Sequence, residues 1–235
     1  MDRVGRVGVV DKSVAIVETL AEHGPLALAE LVAETGLARP TVHRLAVALE
    51  EHGVVGRDDA GRFRLGVRLA AWGSRVAVLL GDSLLLAARP VLDGLRDATD
   101  ESAQLYVRDG DRRVCVAASE RPSGLRDTVP VGAALPLTAG SGAKVLVAWA
   151  DDAETIGLPE PELARVRRNG WAASIAEREA GVASVSAPVR DATGRVVAAI
   201  SVSGPIDRLG RSPGRRFSAE VLDAATRLEA ASRQR

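Results

Sequence analysis

Three short amphipathic segments crowd into the start of the chain, and only about three residues separate the second from the third. Val42, Leu45, Ala46 and Leu49 recur at i, i+3, i+4 and i+7, the buried stripe of a helix. Pro40 falls in that helix's first turn, where its missing N–H costs nothing, and Gly53 follows its end. Leu28, Leu31 and Val32 mark the helix before it, closed by Thr35-Gly36. Val14, Val17, Leu20 and Ala21 share one face of the first helix, which Gly24-Pro25 stops. Val54–Arg57 and Arg62–Leu65 then flank the turn Asp58-Asp59-Ala60-Gly61, a hairpin signal. Helix, helix, tight turn, helix and hairpin is the order of a winged helix-turn-helix.

In that arrangement the third helix projects into the major groove of double-stranded DNA. Arg39, Pro40, Thr41, His43 and Arg44 lie near its N-terminal end, where base edges are met. Arginine can pair bidentately with guanine, and threonine or histidine can contact bases or phosphate. Arg57, Arg62 and Arg64 sit on the wing, suited to phosphates or the minor groove. Residues 1–66 carry eight Lys/Arg against ten Asp/Glu, which argues against strong non-specific binding. A helical domain for protein contacts is the alternative at this point. The whole chain balances 31 Lys+Arg against 31 Asp+Glu, so no global basic field announces nucleic acid or a membrane.

Residues 67 to about 99 read as helical, with Leu69, Trp72, Val76, Leu79 and Leu80 on an apolar face and Pro90 as punctuation. The expected division is a DNA-binding domain over 1–66, a linker helix over 67–81 and an effector and oligomerisation domain over 82–235. From about 101 the period changes to that of strands. Ala103–Arg108 and Arg113–Ala118 flank the turn Asp109-Gly110-Asp111, and Leu125–Val131 reads as extended. Ser141–Trp149 and Pro161–Arg168 read as short helices. Gly170–Ile175, Val182–Val189 and Arg195–Ser203 read as strands, and a closing helix begins at Phe217. Helices mixed with antiparallel hairpins predict an α+β fold.

This pattern does not suit an enzyme. All three histidines, at 23, 43 and 52, precede the second domain, so no serine or cysteine there has a histidine base. Cys115, the single cysteine, stands mid-strand among valines and alanines and reads as a buried structural thiol; no intrachain disulfide is available. Gly140-Ser141-Gly142-Ala143-Lys144 fails the spacing of a phosphate loop, no cluster has metal-ligand spacing, and no cofactor is implied. With no apolar signal core and no uncharged apolar run of about 18 residues, a soluble cytoplasmic protein is expected. A small-molecule pocket suits the second domain better. Gly140-Ser141-Gly142 at a helix start offers backbone N–H groups to a carboxylate. Ser184, Ser201 and Ser203 are hydroxyls on strands, the last two on one side of theirs. Arg208, Arg211, Arg215 and Arg216 read as a solvated loop.

Taken together, TGLARPTVHRLAVALEEHGVV, the wing RFRLG, LPLTAGSGAKVLVAW and GVASVSAPVRDATGRVVAAISVSGPI resemble the IclR family of bacterial transcriptional regulators. The resemblance implies a winged helix-turn-helix, a linker helix and a GAF-like effector domain, in homodimers or tetramers on inverted-repeat operators. The segments ESAQLY, RPSGLRDTVPVG, AEREAGVASVSAPV and VSGPI look closest to actinobacterial regulators of the NdgR/AreB type, associated with amino-acid and especially leucine metabolism. They imply a branched-chain amino acid or a related keto or hydroxy acid as effector. The family's backbone donors match Ser141 and Gly142. Its two last-strand serines match Ser201 and Ser203, and a pocket cysteine of some members is Ser184. An acidic pocket residue of some members falls at Ser174, and the apolar pocket loop maps near Leu125 and Asp127. Two further readings remain at this point. One is a DNA-binding oligomer without a small-molecule effector. The other is a regulator of a catabolic operon responding to a small aromatic or keto acid.

Overall fold

The computed structural model describes residues 8–80, 82–150 and 156–233, and the chain divides into two compact units after Leu79. The first holds α1 (Gly8–His23), α2 (Leu28–Thr35), α3 (Arg39–Glu51), β1 (Val55–Arg57), β2 (Phe63–Leu65) and α4 (Val67–Leu80). Its core is Ile16, Leu20, Leu31, Val42, Leu45, Ala46, Val55 and Phe63. Gly36 takes φ +65°, a left-handed turn that glycine adopts without strain, and so ends α2 and starts the tight connection to α3. Strands β1 and β2 pair antiparallel as the wing. Phe63 also exchanges backbone hydrogen bonds with Leu26 (2.8 and 2.9 Å), which ties the wing to the connection between α1 and α2.

Three side chains in this unit depart from the sequence reading. The inward face of α1 is centred on Ile16 and Leu20, one turn apart, and this rotates Val14 out to 48% exposure and exposes Ala21. Trp72 is 46% exposed, with the Arg68 guanidinium over its ring at 5.5 Å. Val76, Leu79 and Leu80 lie outside the described side chains, and residue 81 lies outside the described residues.

The second unit comprises α5 (Asp82–Thr99), β3 (Ser102–Asp109), β4 (Arg112–Ser119), β5 (Ala134–Pro136), α6 (Ser141–Val147), α7 (Glu160–Asn169), β6 (Ala172–Ile175), β7 (Val182–Arg190), β8 (Val196–Pro205), α8 (Ile206–Leu209) and α9 (Pro213–Arg233). Its sheet runs β5-β4-β3-β8-β7-β6 with every neighbouring pair antiparallel. Alternation along the strands separates two faces. Leu105, Val185, Ile200 and Val202 face one way and pack with α5 and α9 (Leu92, Leu95, Val221, Leu228). Tyr106, Cys115 and Ala199 face the other way, toward Ala143, Val145, Leu146 and Val147 of α6 and Leu163 and Val166 of α7. The fold is the expected α+β. Strand β5 and helix α8 were not anticipated, because each is too short to show a period.

The reading of 208–216 as a solvated loop fails at both ends. Helix α9 begins at Pro213, which suits a first turn. Arg208 is a tether: its Nε and Nη2 donate to the Glu101 carboxylate at 2.6 and 2.8 Å, and Glu101 is 2% exposed. Gly204 makes room for this pair, since a Cβ there would come within 2.2 Å of Glu101 Oε2.

Ile200 is fully buried on a central strand. Ile200→Ala is expected to cost about 2–5 kcal/mol through lost burial and a residual cavity. Chemical denaturation followed by near-ultraviolet circular dichroism checks this.

Candidate functional site: a free helix edge and a serine-lined pocket

Helix α3 turns Val42, Leu45 and Ala46 into the core, and this sends His43 and Arg44 to the opposite side. Arg39, Pro40, His43 and Arg44 are exposed and Thr41 is half-buried. Among the described residues the side chains of Arg39, His43 and Arg44 have no hydrogen bond or ion pair. The wing arginines are different. Arg57 donates to Glu50 of α3 at 3.0 and 3.1 Å and lies over Phe63 at 4.2 Å. Arg62 pairs with Asp58 at 2.8 Å, and hydrogen bonds from the Arg62 backbone and side chain hold the Asp58 carboxyl below its usual range. Arg64 is half-buried, donating to the carbonyls of Arg57 (3.2 Å) and Leu65 (2.9 Å). The three wing arginines thus shape the wing as well as charging it, so of the α3 and wing arginines named, Arg39 and Arg44 are the ones without a partner. Exposed pairs such as Arg62–Asp58 hold by little, typically up to about 1 kcal/mol, and can part.

On the α6 face of the sheet, strand register assembles a polar pocket. Ser174 lies opposite Ser184, Ser184 opposite Ser203, and Ser203 opposite Ser102. A second row runs from Ser186 through Ser201 to Gln104. The hydroxyl of Ser141, the first residue of α6, shares hydrogen bonds with Ser184 and Ser186 (both 2.7 Å), and Ser186 shares one with Ser201 (2.5 Å). Ser203 donates to Gln104 Oε1 at 3.1 Å. Asp127, Ser141, Gly142, Ser174, Ser184, Ser201 and Ser203 all line this pocket, together with Gln104, Tyr106, Arg113, Gly140, Arg178, Glu179 and Val182.

Two details correct the sequence reading. Leu125 is 75% exposed and lies outside the pocket lining; its carbonyl accepts a hydrogen bond from Arg208 at 2.6 Å. The Gly140 N–H is already used, donating to Glu177 Oε2 at 3.1 Å, so it is not a spare donor for an anion. Lys144, 5% exposed, is already engaged. It is held by Glu177 at 2.6 Å, Glu162 at 2.9 Å and the Ala173 carbonyl at 3.3 Å. Glu177 therefore fastens the start of α6 to the loop after β6.

The pocket is closed by an ion pair between two loops. Arg178 Nη2 donates to both carboxylate oxygens of the buried Asp127, at 2.7 and 2.8 Å. Burial of Arg178 opposes its charge, but the hydrogen bonds and charge of Asp127 outweigh this and raise its pKa. The loop bearing Arg178 starts at Ala176, whose φ of +56° is uncommon for a residue with a Cβ, and ends at Gly181 at φ +85°. The free space at the pocket's centre is about 20 Å3, room for one water. An organic ligand needs more room than this.

Several of these residues were missed. Ser102, Gln104 and Tyr106 alternate with Ala103, Leu105 and Val107 along β3, a signal that was available in the sequence. Arg113 and Arg178 come from separate strands and loops, and local sequence offers no cue that joins them. Among the described residues no group of His, Cys, Asp and Glu could hold a metal, and no helix is long and apolar enough to cross a membrane.

A free basic edge on the second helix of a helix-turn-helix, with a wing beside it and a separate α+β unit, defines a winged DNA-binding regulator of transcription. Residues 9–59 match the IclR helix-turn-helix domain, and residues 76–160 and 157–230 match the bacterial transcriptional regulator IclR C-terminal domain. The chain belongs to the IclR family. It is 30% identical to the HTH-type transcriptional regulator KipR of Bacillus subtilis, over 93% of this chain and 94% of that protein. The crystal structure of the Thermotoga maritima IclR has the same fold, with a TM-score of 0.69 at 20% identity over 97% of this chain and 99% of that one. So has an IclR homologue of Microbacterium hydrocarbonoxydans solved in complex with 4-hydroxybenzoate, with a TM-score of 0.68 at 20% identity over 97% and 100% of the two chains. These relatives are regulators of transcription, not enzymes.

Cys115 is fully buried, with Sγ 3.6 Å from the Val129 carbonyl oxygen, and burial pushes its thiol up to about 12. It stays protonated and unreactive far above neutral pH. Iodoacetamide at pH 8 is expected to leave the native protein unlabelled and to label it after unfolding in urea, as read by mass spectrometry.

Proposed function

We propose that this chain is a ligand-responsive regulator. Helix α3 enters the major groove of each half of an inverted-repeat operator, and the second unit takes a small carboxylate or amino acid. Arg39, Thr41, His43 and Arg44 meet base edges and Pro40 sets the helix start. Arg62 and Arg64 support from the wing. The observation that carries the DNA reading is that Arg39, His43 and Arg44 are exposed and unpartnered on a helix whose other face is core. In this reading residues 1–66 bind DNA, 67–81 link, and 82–235 bind effector and assemble homodimers or tetramers. Ser141, Gly142, Ser174, Ser184, Ser201 and Ser203 receive the effector, with Asp127 at the pocket's closure. Ligand binding shifts the assembly between geometries of different half-site spacing, which requires different ligand affinities in the two states.

The finer reading is control of amino-acid genes, leucine metabolism above all, and it rests on the resemblance of ESAQLY, RPSGLRDTVPVG and AEREAGVASVSAPV to such regulators. A second reading is a catabolic regulator responding to a small aromatic or keto acid; its aromatic form is favoured by the fold shared with the 4-hydroxybenzoate-bound homologue.

Selection from a random DNA library at one stated salt concentration is expected to enrich an inverted repeat. On that repeat Arg44→Ala is expected to weaken binding by about 1–3 kcal/mol. Unchanged anisotropy titrations would remove Arg44 from the reading set. Ser201→Ala combined with Ser203→Ala is expected to weaken calorimetric binding of the active compound among leucine, 2-oxoisocaproate and 4-hydroxybenzoate, and to leave ligand-free DNA affinity unchanged. Wild-type ligand affinity in that variant would reject the pocket.

A further inference from the structure

Arg113 of β4 is 3% exposed and carries a charge it cannot shed. Its Nη1 donates to the carbonyls of Pro136 and Ala139, the latter at 2.8 Å. The guanidinium stands 5.4 Å from the centre of the Tyr106 ring. Its Nε is buried with no hydrogen-bond partner. No carboxylate among the described residues forms an ion pair with it. Asp127 acts on it only through space, since both Asp127 oxygens are taken by Arg178. Burial pulls the Arg113 pKa down, as expected of a cation short of counter-charge. A buried charge normally has an ionic partner, because removing it from water is costly.

The surroundings of Arg113 are built for an occupant. It lines the same pocket as the serines. The wall beside it is glycine: a Cβ at Gly140 would lie 3.0 Å from Arg113 Nη2, and one at Gly142 would lie 3.3 Å from the Tyr106 ring. Hydroxyls and Gln104 supply neutral donors and acceptors across the cavity. Glu179, the other carboxylate at the pocket, is turned outward, 62% exposed and 3.4 Å from Arg178 Nη1. The interior therefore carries one positive charge with no ion-pair partner, and its buried carboxylate, Asp127, is already engaged by Arg178.

We propose that Arg113 is the charge anchor of this pocket, and that the ligand is an organic monoanion without an ammonium group, its carboxylate against Arg113 and its remainder among the serines. The proposal rests on the pocket being the effector site, and it narrows the ligand class. A keto, hydroxy or aromatic acid fits, whereas an α-amino acid brings a cation with no partner. Admission requires the Arg178–Asp127 pair to part, and Arg113 is the cation that stays in place.

The test is thermal shift and calorimetry on the full chain at constant chloride. The probes are 2-oxoisocaproate, 4-hydroxybenzoate, their neutral amides, and leucine. A carboxylate is expected to bind the wild type at least tenfold more tightly than its amide, and 2-oxoisocaproate more tightly than leucine. Arg113→Met is expected to abolish the preference for carboxylate over amide, and Arg113→Lys to retain part of it. Equal binding of acid and amide by the wild type overturns the anchor and needs no variant. So does an Arg113→Met protein that keeps the preference. Carboxylate binding lost in the Ser201→Ala, Ser203→Ala protein but intact in Arg113→Met would keep the pocket and remove the anchor. Failure of all five compounds to shift the wild type would remove both.

Discussion

The register between β7 and β8 is the constraint on which the second unit depends. Ser184 faces Ser203 and Ser186 faces Ser201, while Val185 and Val202 point to the α5 and α9 side. Because side chains alternate along a strand, a slip of one residue would turn the hydroxyls into an apolar core and expose valines to the pocket. The apolar face thus enforces the polar one. Ile200 and Val202 need their burial, and Ser201 and Ser203 are carried to the other side as a consequence. Ser141 then joins the serines of β7 to α6, so the pocket floor and the helix above it are one hydrogen-bonded network.

Charge in this unit is arranged by the same rule of satisfaction. Lys144 has two glutamates and a carbonyl, Arg208 has the buried Glu101, and Arg178 has Asp127. Each pair has one buried partner, which would be left with an unpaired charge if the other were lost, so the pairs hold loops in place. The Arg178–Asp127 pair is the one that lies across the pocket, and it joins segments 51 residues apart in sequence. Among the described residues, Arg113 stands out against this background as a buried cation with no ion pair.

In the first unit, core and exposed basic edge divide a single helix between them. Val42, Leu45 and Ala46 anchor α3, and the same periodicity leaves Arg39, His43 and Arg44 free. The wing arginines are partly spent on internal contacts, Arg57 to Glu50 and Arg62 to Asp58. A unit with slightly more acid than base can therefore still present a positive edge, because side-chain direction decides where its charge is felt.

The sequence by itself determined whatever has a local period or a local steric demand. This covers the three helices and hairpin of the first unit, the left-handed turn at Gly36, the antiparallel strands and the shared side of Ser201 and Ser203. It also marked the alternation of Ser102, Gln104 and Tyr106 with Ala103, Leu105 and Val107. The tertiary structure alone decided which face of α1 turns inward, that Leu125 stands outside the pocket, that the Gly140 N–H is occupied by Glu177, and that Arg208 is a tether to Glu101. It alone brought Arg113, Asp127 and Arg178 to one cavity. The reason is physical: helix and strand periods are set by neighbours along the chain, whereas a buried charge is defined by partners that only the closed fold brings within reach.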